Sequence, residues 1–252
     1  MRLKTAGITI TVITGLVFIF SARIIYSSDA DGYVCHRRAG EICLDGKIDE
    51  KAWDGKQVVA RFWKSKDKGT PRYQTVVYAT WDDEALYIAA RMDDDDVVGY
   101  LANRDDPVYN EDAFEVFLLP NPANQFVFEF EFSPRSIIFD GLNRRLPDNQ
   151  SGYRGETSRG WNAVGLECKA NVLGTLNNFT DRDKGWVVEV KIPFSALKSV
   201  VAKPKPGDKW KITFARCESS VYLDEVEWSA SVPLAKYGCW ENYDEWQWME
   251  FR

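Results

Sequence analysis

Histidine is nearly missing: the 252-residue chain has one, His36, and only three methionines. Serine and cysteine nucleophiles usually need a histidine base, so every triad of that kind would hang on this one residue. The same scarcity weakens zinc and haem centres, which draw ligands from His, Cys and Met. The five cysteines (Cys35, Cys43, Cys168, Cys217 and Cys239) show no CxxC spacing, which argues against a metal knuckle. A basic stripe is absent too. Net charge is −6 and the pI is near 5.1. Phosphate binding needs clustered Lys and Arg, so nucleic acid is not an expected partner.

Aromatic residues are abundant: ten Trp, eleven Tyr and fourteen Phe. Most must be core, but so many Trp implies that some face a ligand. With 45% hydrophobic and 28% charged residues, the chain can bury a core.

The N-terminus is read as a targeting segment spanning residues 1–30. Arg2 and Lys4 give a basic start, and Ala6 to Phe20 is an uncharged, mostly apolar run before Arg23. That run is short for a membrane span of ~20 residues and suits a signal peptide. Cleavage near Ser28-Asp29-Ala30 is the first reading, an uncleaved anchor the second and a buried core helix the third; either of the first two makes the protein exported, to the periplasm, the cell surface or beyond. In that compartment one or two disulfides are expected, with an odd thiol left over.

Residues 31–252 are read as one domain, and their period is two rather than 3.6. Strand-like runs cover 75–80, 85–90, 113–118, 126–132, 185–192, 210–216 and 246–251. In Phe126–Phe132 the alternation is strict, with Phe128, Phe130 and Phe132 on one face. Glu129 and Glu131 share the other, expected to be solvated, with a sheet near a ligand as the alternative. Helical turns are expected at 50–53 and 194–197, and a long loop over 140–160, of a length that is usually functional or mobile. Short strands with turns between them predict an all-β antiparallel sandwich or jelly roll.

The segment LDGKIDEKAW (44–53), followed by ATWDDEALYIAARMDD (79–94), resembles the opening of family 9 carbohydrate-binding modules. The similarity continues through DPVYNEDAFEVFL, KGWVVEVKIPFSAL and CWENYDEWQWMEF, in order, over nearly all of residues 33–252. The resemblance implies a β-sandwich related to DOMON-type folds that binds carbohydrate chain ends without cutting them. It places Tyr109 where a sugar-stacking Trp sits, Glu115 where a carboxylate bonds sugar hydroxyls, and Trp240 at the second aromatic wall. Glu111, Asp112 and Asn242 complete the expected ligand-binding set. The chemistry is sensible, because a pyranose offers an apolar C–H face to a ring and rim hydroxyls to polar groups. Tyr in place of Trp gives a smaller stacking surface. Asp45, Gly46, Asp49, Glu50 and Trp53 are expected to be architectural, with Trp53 packing inward, and Trp81 to lid the sandwich edge.

No catalytic residue is assigned. Two other functions stand against simple binding: a glycoside hydrolase using two carboxylates, and a haem-carrying DOMON domain. The haem ligands of the second could come only from Met92, Met249 and His36, and Met92 is expected inside the core. No metal ligand is assigned, and calcium at Asp93–Asp96 is the one cofactor left open, because that ion prefers clustered oxygens. Family members often accompany hydrolases, so a separate glycoside hydrolase is an expected partner; membrane contact is expected only through the N-terminal segment.

Overall fold

The computed structural model describes residues 32–123, 126–144, 160–235 and 243–252, so residues 1–30, where a targeting segment is expected, lie outside the described residues. The strands are β1 (Tyr33–Arg37), β2 (Gln57–Val59), β3 (Trp63–Lys64), β4 (Thr75–Trp81), β5 (Ala85–Met92), β6 (Ala113–Leu119), β7 (Phe126–Phe132), β8 (Ile138–Arg144), β9 (Glu167–Val172), β10 (Trp186–Pro193), β11 (Lys209–Glu218), β12 (Glu227–Ala230) and β13 (Gln247–Phe251). The one α-helix among the described residues, α1 (Phe194–Leu197), is a single turn, and a 3-10 turn spans Lys51–Trp53. Both helical turns sit where the sequence placed them.

The fold is all-β, as expected, but its sheet is mixed. The strands hydrogen-bond in the order β8-β7-β6-β11-β13-β1-β4-β5-β10-β9. Most pairs are antiparallel; β1 instead runs parallel to both β13 and β4. That strand therefore joins an antiparallel half built on β6, β7, β8 and β11 to another built on β4, β5, β9 and β10. The path is barrel-like rather than two separate leaves.

One core fills the space between the halves. Phe128, Phe130 and Phe132 of β7 meet Phe114, Phe214, Met92 and Trp186 there, all fully buried. Trp81 is also buried and stands edge-on to Phe251 at 5.2 Å, with its indole N–H donating to the Arg252 carbonyl. Trp186 pairs with Met92 in register, and Gly185 before it must be glycine: at φ +122° a Cβ would lie 1.9 Å from the Met92 carbonyl oxygen.

Three sequence expectations need correction. Residues 140–144 are not loop but the second half of β8; the rest of that expected loop, apart from Gly160, lies outside the described residues. Cys35, Cys43, Cys168 and Cys217 are free thiols, so the expected disulfides do not form among them, and Cys239 lies outside the described residues. Glu129 and Glu131 are not solvated; each is only 2% exposed. The face opposite the Phe core is itself covered, so alternation named a second buried surface rather than a wet one.

Candidate functional site

The turn at Asp45–Lys47 closes over a single carboxylate. Glu189, on β10, accepts backbone N–H bonds from Asp45, Gly46 and Lys47 at 3.0, 2.9 and 3.3 Å, and the Trp53 indole N–H at 3.0 Å. Gly46 lies at φ +83°, where a Cβ would approach the Asn171 Cβ to 2.6 Å. Burial raises the Glu189 carboxyl, and the backbone and indole donors oppose the rise. Trp53 is 3% exposed and packs inward as expected. The most recognisable stretch of sequence is thus a clamp on a buried anion.

Two further carboxylate clusters occupy opposite faces of the same strands. On the core face, Arg216 of β11 follows the inward parity of Ile212 and Phe214. Its guanidinium bonds Glu218 closely, reaches Asp94 at 3.4 Å and donates to the Asp93 carbonyl at 2.8 Å. Asp96 accepts from the Ser220 hydroxyl and the Val221 N–H, and Asp94 from the Asp96 N–H. Oxygens of Asp94, Asp96 and Glu218 lie within 4.8 Å of one another, and Glu218 Oε1 is buried without a hydrogen-bond partner. Burial pushes the Glu218 carboxyl up to about 8, against the pull of Arg216. The Asp94 and Asp112 carboxyls are also raised, by burial first. The Asp93–Asp96 run is half interior: Asp94 and Asp96 are 2% and 1% exposed.

The outward face carries the second cluster. Glu115 on β6 pairs in register with Glu131 on β7, and Glu129, two residues back, pairs with Gly141 of β8. Asn143 of β8 donates its Nδ2 to Glu129 Oε2 at 2.7 Å. Glu115 Oε1, Glu131 Oε2 and Asn143 Oδ1 are buried with no hydrogen-bond partner. Burial first, then Glu129, pushes Glu115 up to about 8; burial, then Glu115 and Glu129, lift Glu131 well above the usual carboxylate range. Apolar side chains bracket this acidic floor. At one end Tyr109 stands edge-on to Phe139 at 5.9 Å, beside Val108, Ala113 and Cys217. At the other, Trp246 packs on Phe117 at 5.8 Å and on Tyr243 at 5.0 Å.

The expected ligand residues divide accordingly. Tyr109 is half-buried at the rim of the acidic floor, its main chain bonded to Glu131 and its carbonyl accepting the Cys217 thiol at 3.2 Å. Glu115 lies in the floor itself. Glu111 and Asp112 brace loops instead: Glu111 accepts the Tyr100 and Leu101 N–H groups, and Asp112 those of Val98 and Ser219. Trp240 and Asn242 lie outside the described residues. Sequence reading missed Arg216, Glu218 and Asn143. The first two were within reach, since alternation from Ile212 and Phe214 points both into the core.

A family model described as "Carbohydrate family 9 binding domain-like" matches residues 44–249. Among curated proteins none matches the chain at a significant level. Among solved structures, a family 9 carbohydrate-binding module from Caldicellulosiruptor kristjanssonii is similar, with a TM-score of 0.58 at 15% identity. Its complex with glucose matches over 87% of this chain and 95% of its own, and its complex with cellotriose over 87% and 93%. A protein of Bacteroides uniformis ATCC 8492, assigned a carbohydrate-binding role, has a TM-score of 0.63 at 13% identity, covering 88% of this chain and all of its own. At these identities the likeness is one of fold.

Proposed function

The chain belongs to the carbohydrate family 9 binding domain-like family, and from that premise we propose that it binds the end of a carbohydrate chain without cleaving it. The observation that carries this is the outward floor of Glu115, Glu129, Glu131 and Asn143, bracketed by Tyr109 and Trp246, in which one buried acceptor each of Glu115, Glu131 and Asn143 has no hydrogen-bond partner among the described residues. Buried acceptors left unpaired cost roughly 1–3 kcal/mol each, and sugar hydroxyls are donors of the right kind. The family resemblance assigns one stacking wall to Tyr109, the second to Trp240, and a polar contact to Asn242. Glu111 and Asp112 hold the loops that carry Tyr109. The glucose and cellotriose bound by the C. kristjanssonii module support a pyranose ligand.

Binding to a glycan array, followed by calorimetry on the hits, tests this reading. Trp240→Ala should lower affinity at least tenfold with little change in Tm, while Tyr109→Trp, with its larger face, should raise it. Loss of binding only where the fold is lost would defeat the assignment, and so would sugar turnover abolished by Glu115→Gln. The N-terminal segment supports export, with a separate glycoside hydrolase as partner in polysaccharide breakdown; the mature N-terminus, read by mass spectrometry, tests the export step.

A second reading concerns calcium. Asp94, Asp96 and Glu218 offer the clustered oxygens that ion prefers, and Glu218 Oε1 has no other partner. Arg216 is a single cation beside those three carboxylates and Asp112, so the donor set fits a divalent ion. Asp94, Asp96 and Glu218 would hold it, and it would tie the 93–98 segment to the end of β11.

A further inference from the structure

The two acidic clusters differ in how the protein pays for them. On the core face the fold supplies its own cation, Arg216, in contact with Asp94 and Glu218. On the outward face no ion pair to Glu115 or Glu131 forms among the described residues, although both carboxylates are at least as deeply buried as Glu218. Buried carboxylates are ordinarily paired, protonated or bound to metal. A metal is a poor match here. Among the described residues the only acidic oxygens gathered closely enough for one ion are those of Asp94, Asp96 and Glu218. Glu115, Glu129 and Glu131 do not converge in that way.

The surroundings also argue against a bare ion. Phe139 lies opposite Glu131 in register and packs edge-on with Tyr109, while Phe117 lies opposite Glu129 and packs with Trp246, so the acceptors have aromatic neighbours on both sides. That pattern suits a ring carrying a positive group on its edge. Gly141, opposite Glu129, adds no side chain, and a Cβ there would meet only Glu129 Oε2, at 3.7 Å. The amide of Asn143 offers an unpartnered Oδ1, again an acceptor. The free groups of the floor are acceptors in want of donors.

We propose that the preferred ligand is an amino sugar, a glucosamine unit whose ammonium sits between Glu115 and Glu131 while its ring stacks on Tyr109. This rests on the carbohydrate-binding reading above and narrows it. An ammonium has three donors and a full charge, so it can satisfy both orphan oxygens and hold the two carboxylates ionised together. A neutral hydroxyl can reach one oxygen but leaves the repulsion in place. An N-acetyl group removes the charge and adds an acceptor where acceptors are already in excess.

Calorimetry on the full chain at pH 6 tests the idea with glucosamine, the β-1,4-linked glucosamine dimer, N-acetylglucosamine, glucose and cellobiose. The amino sugars should bind at least tenfold tighter than glucose and cellobiose, and acetylation should remove that advantage. Glu131→Gln should abolish the preference while leaving the fold intact by circular dichroism, since it relieves a repulsion. Comparison of the free and acetylated sugars needs no variant, so it decides even if a substitution misfolds. Glucose and cellobiose binding as well as the amino sugars would overturn this inference and leave the wider reading standing. No binding of any sugar would overturn both.

Discussion

Glu115 and Glu131 stand directly opposite each other on neighbouring antiparallel strands, buried and with no ion pair to either among the described residues. Like charges in that position destabilise a sheet, and burial adds to the penalty. Protons relieve it: burial first, then Glu129, pushes Glu115 up to about 8 from a reference of 4.5, and after burial Glu115 and Glu129 lift Glu131.

That shift makes stability depend on pH in a definite direction. The folded state holds its proton where the unfolded chain has released it. The contribution of Glu115 is therefore fully present below about 4.5 and is lost as pH rises towards about 8. Within that window each unit of pH costs up to about 1.4 kcal/mol for the group. Tm measured by circular dichroism from pH 5 to 9 should fall with rising pH in the absence of ligand. In Glu115→Gln the fall should be shallower, and above pH 8 the variant should be the more stable protein. A parallel decline in both would show that the pair does not carry the effect.

Glu189→Ala separates architecture from binding. It removes the acceptor for three backbone N–H groups and the Trp53 indole, of which the Gly46 and Trp53 bonds are buried. Unpaired buried donors cost about 1–3 kcal/mol each, so a loss of roughly 2–4 kcal/mol is expected, or several degrees in Tm for a domain of this size. Sugar affinity, measured where the variant is still folded, should stay within about twofold, because the clamp lies on the half of the sheet that does not carry Glu115. A tenfold loss of affinity would tie the 45–53 turn to the ligand.

The strands were legible because their alternation is strong. The Phe128–Phe130–Phe132 face points to the core, and the turns at 50–53 and 194–197 sit where the pattern broke. β8 was hidden by its composition: Asp140, Gly141 and Asn143 read as loop residues, yet Gly141 pairs with Glu129 and Asn143 bonds it. The parallel strand β1 carries only five residues with little pattern, and its role comes from partners far away in sequence. The acidic floor was half visible. Periodicity put Glu129 and Glu131 on one face, but whether that face is wet depends on what covers it, and period-two alternation does not encode the cover. Opposition of Glu115 to Glu131 is a matter of register, which a single strand cannot reveal.

Calcium should raise stability through the core-face cluster. If Asp94, Asp96 and Glu218 hold the ion, millimolar calcium should lift Tm by several degrees over EDTA, and Glu218→Gln should erase the difference. Magnesium, which demands a stricter octahedron and gives up water reluctantly, should do less. An identical Tm in calcium and EDTA for the unaltered protein would leave Arg216 as the only cation this cluster uses.

Arg216→Met is the most damaging single change expected. The side chain is 2% exposed and lies against Glu218 and Asp94, so methionine keeps much of the volume but deletes the charge. Breaking a buried pair from one side leaves the other carboxylates uncompensated, a loss of about 3–5 kcal/mol. In a domain of this size that is roughly 10 °C or more in Tm. Lost packing alone could lower Tm too, so the second substitution decides the cause. Adding Glu218→Gln to Arg216→Met removes one of the stranded charges, and should restore a large part of the stability if electrostatics dominate. A double variant no more stable than Arg216→Met alone would mean that Arg216 acts through its packing and through its bond to the Asp93 carbonyl, not as the counter-charge of the cluster.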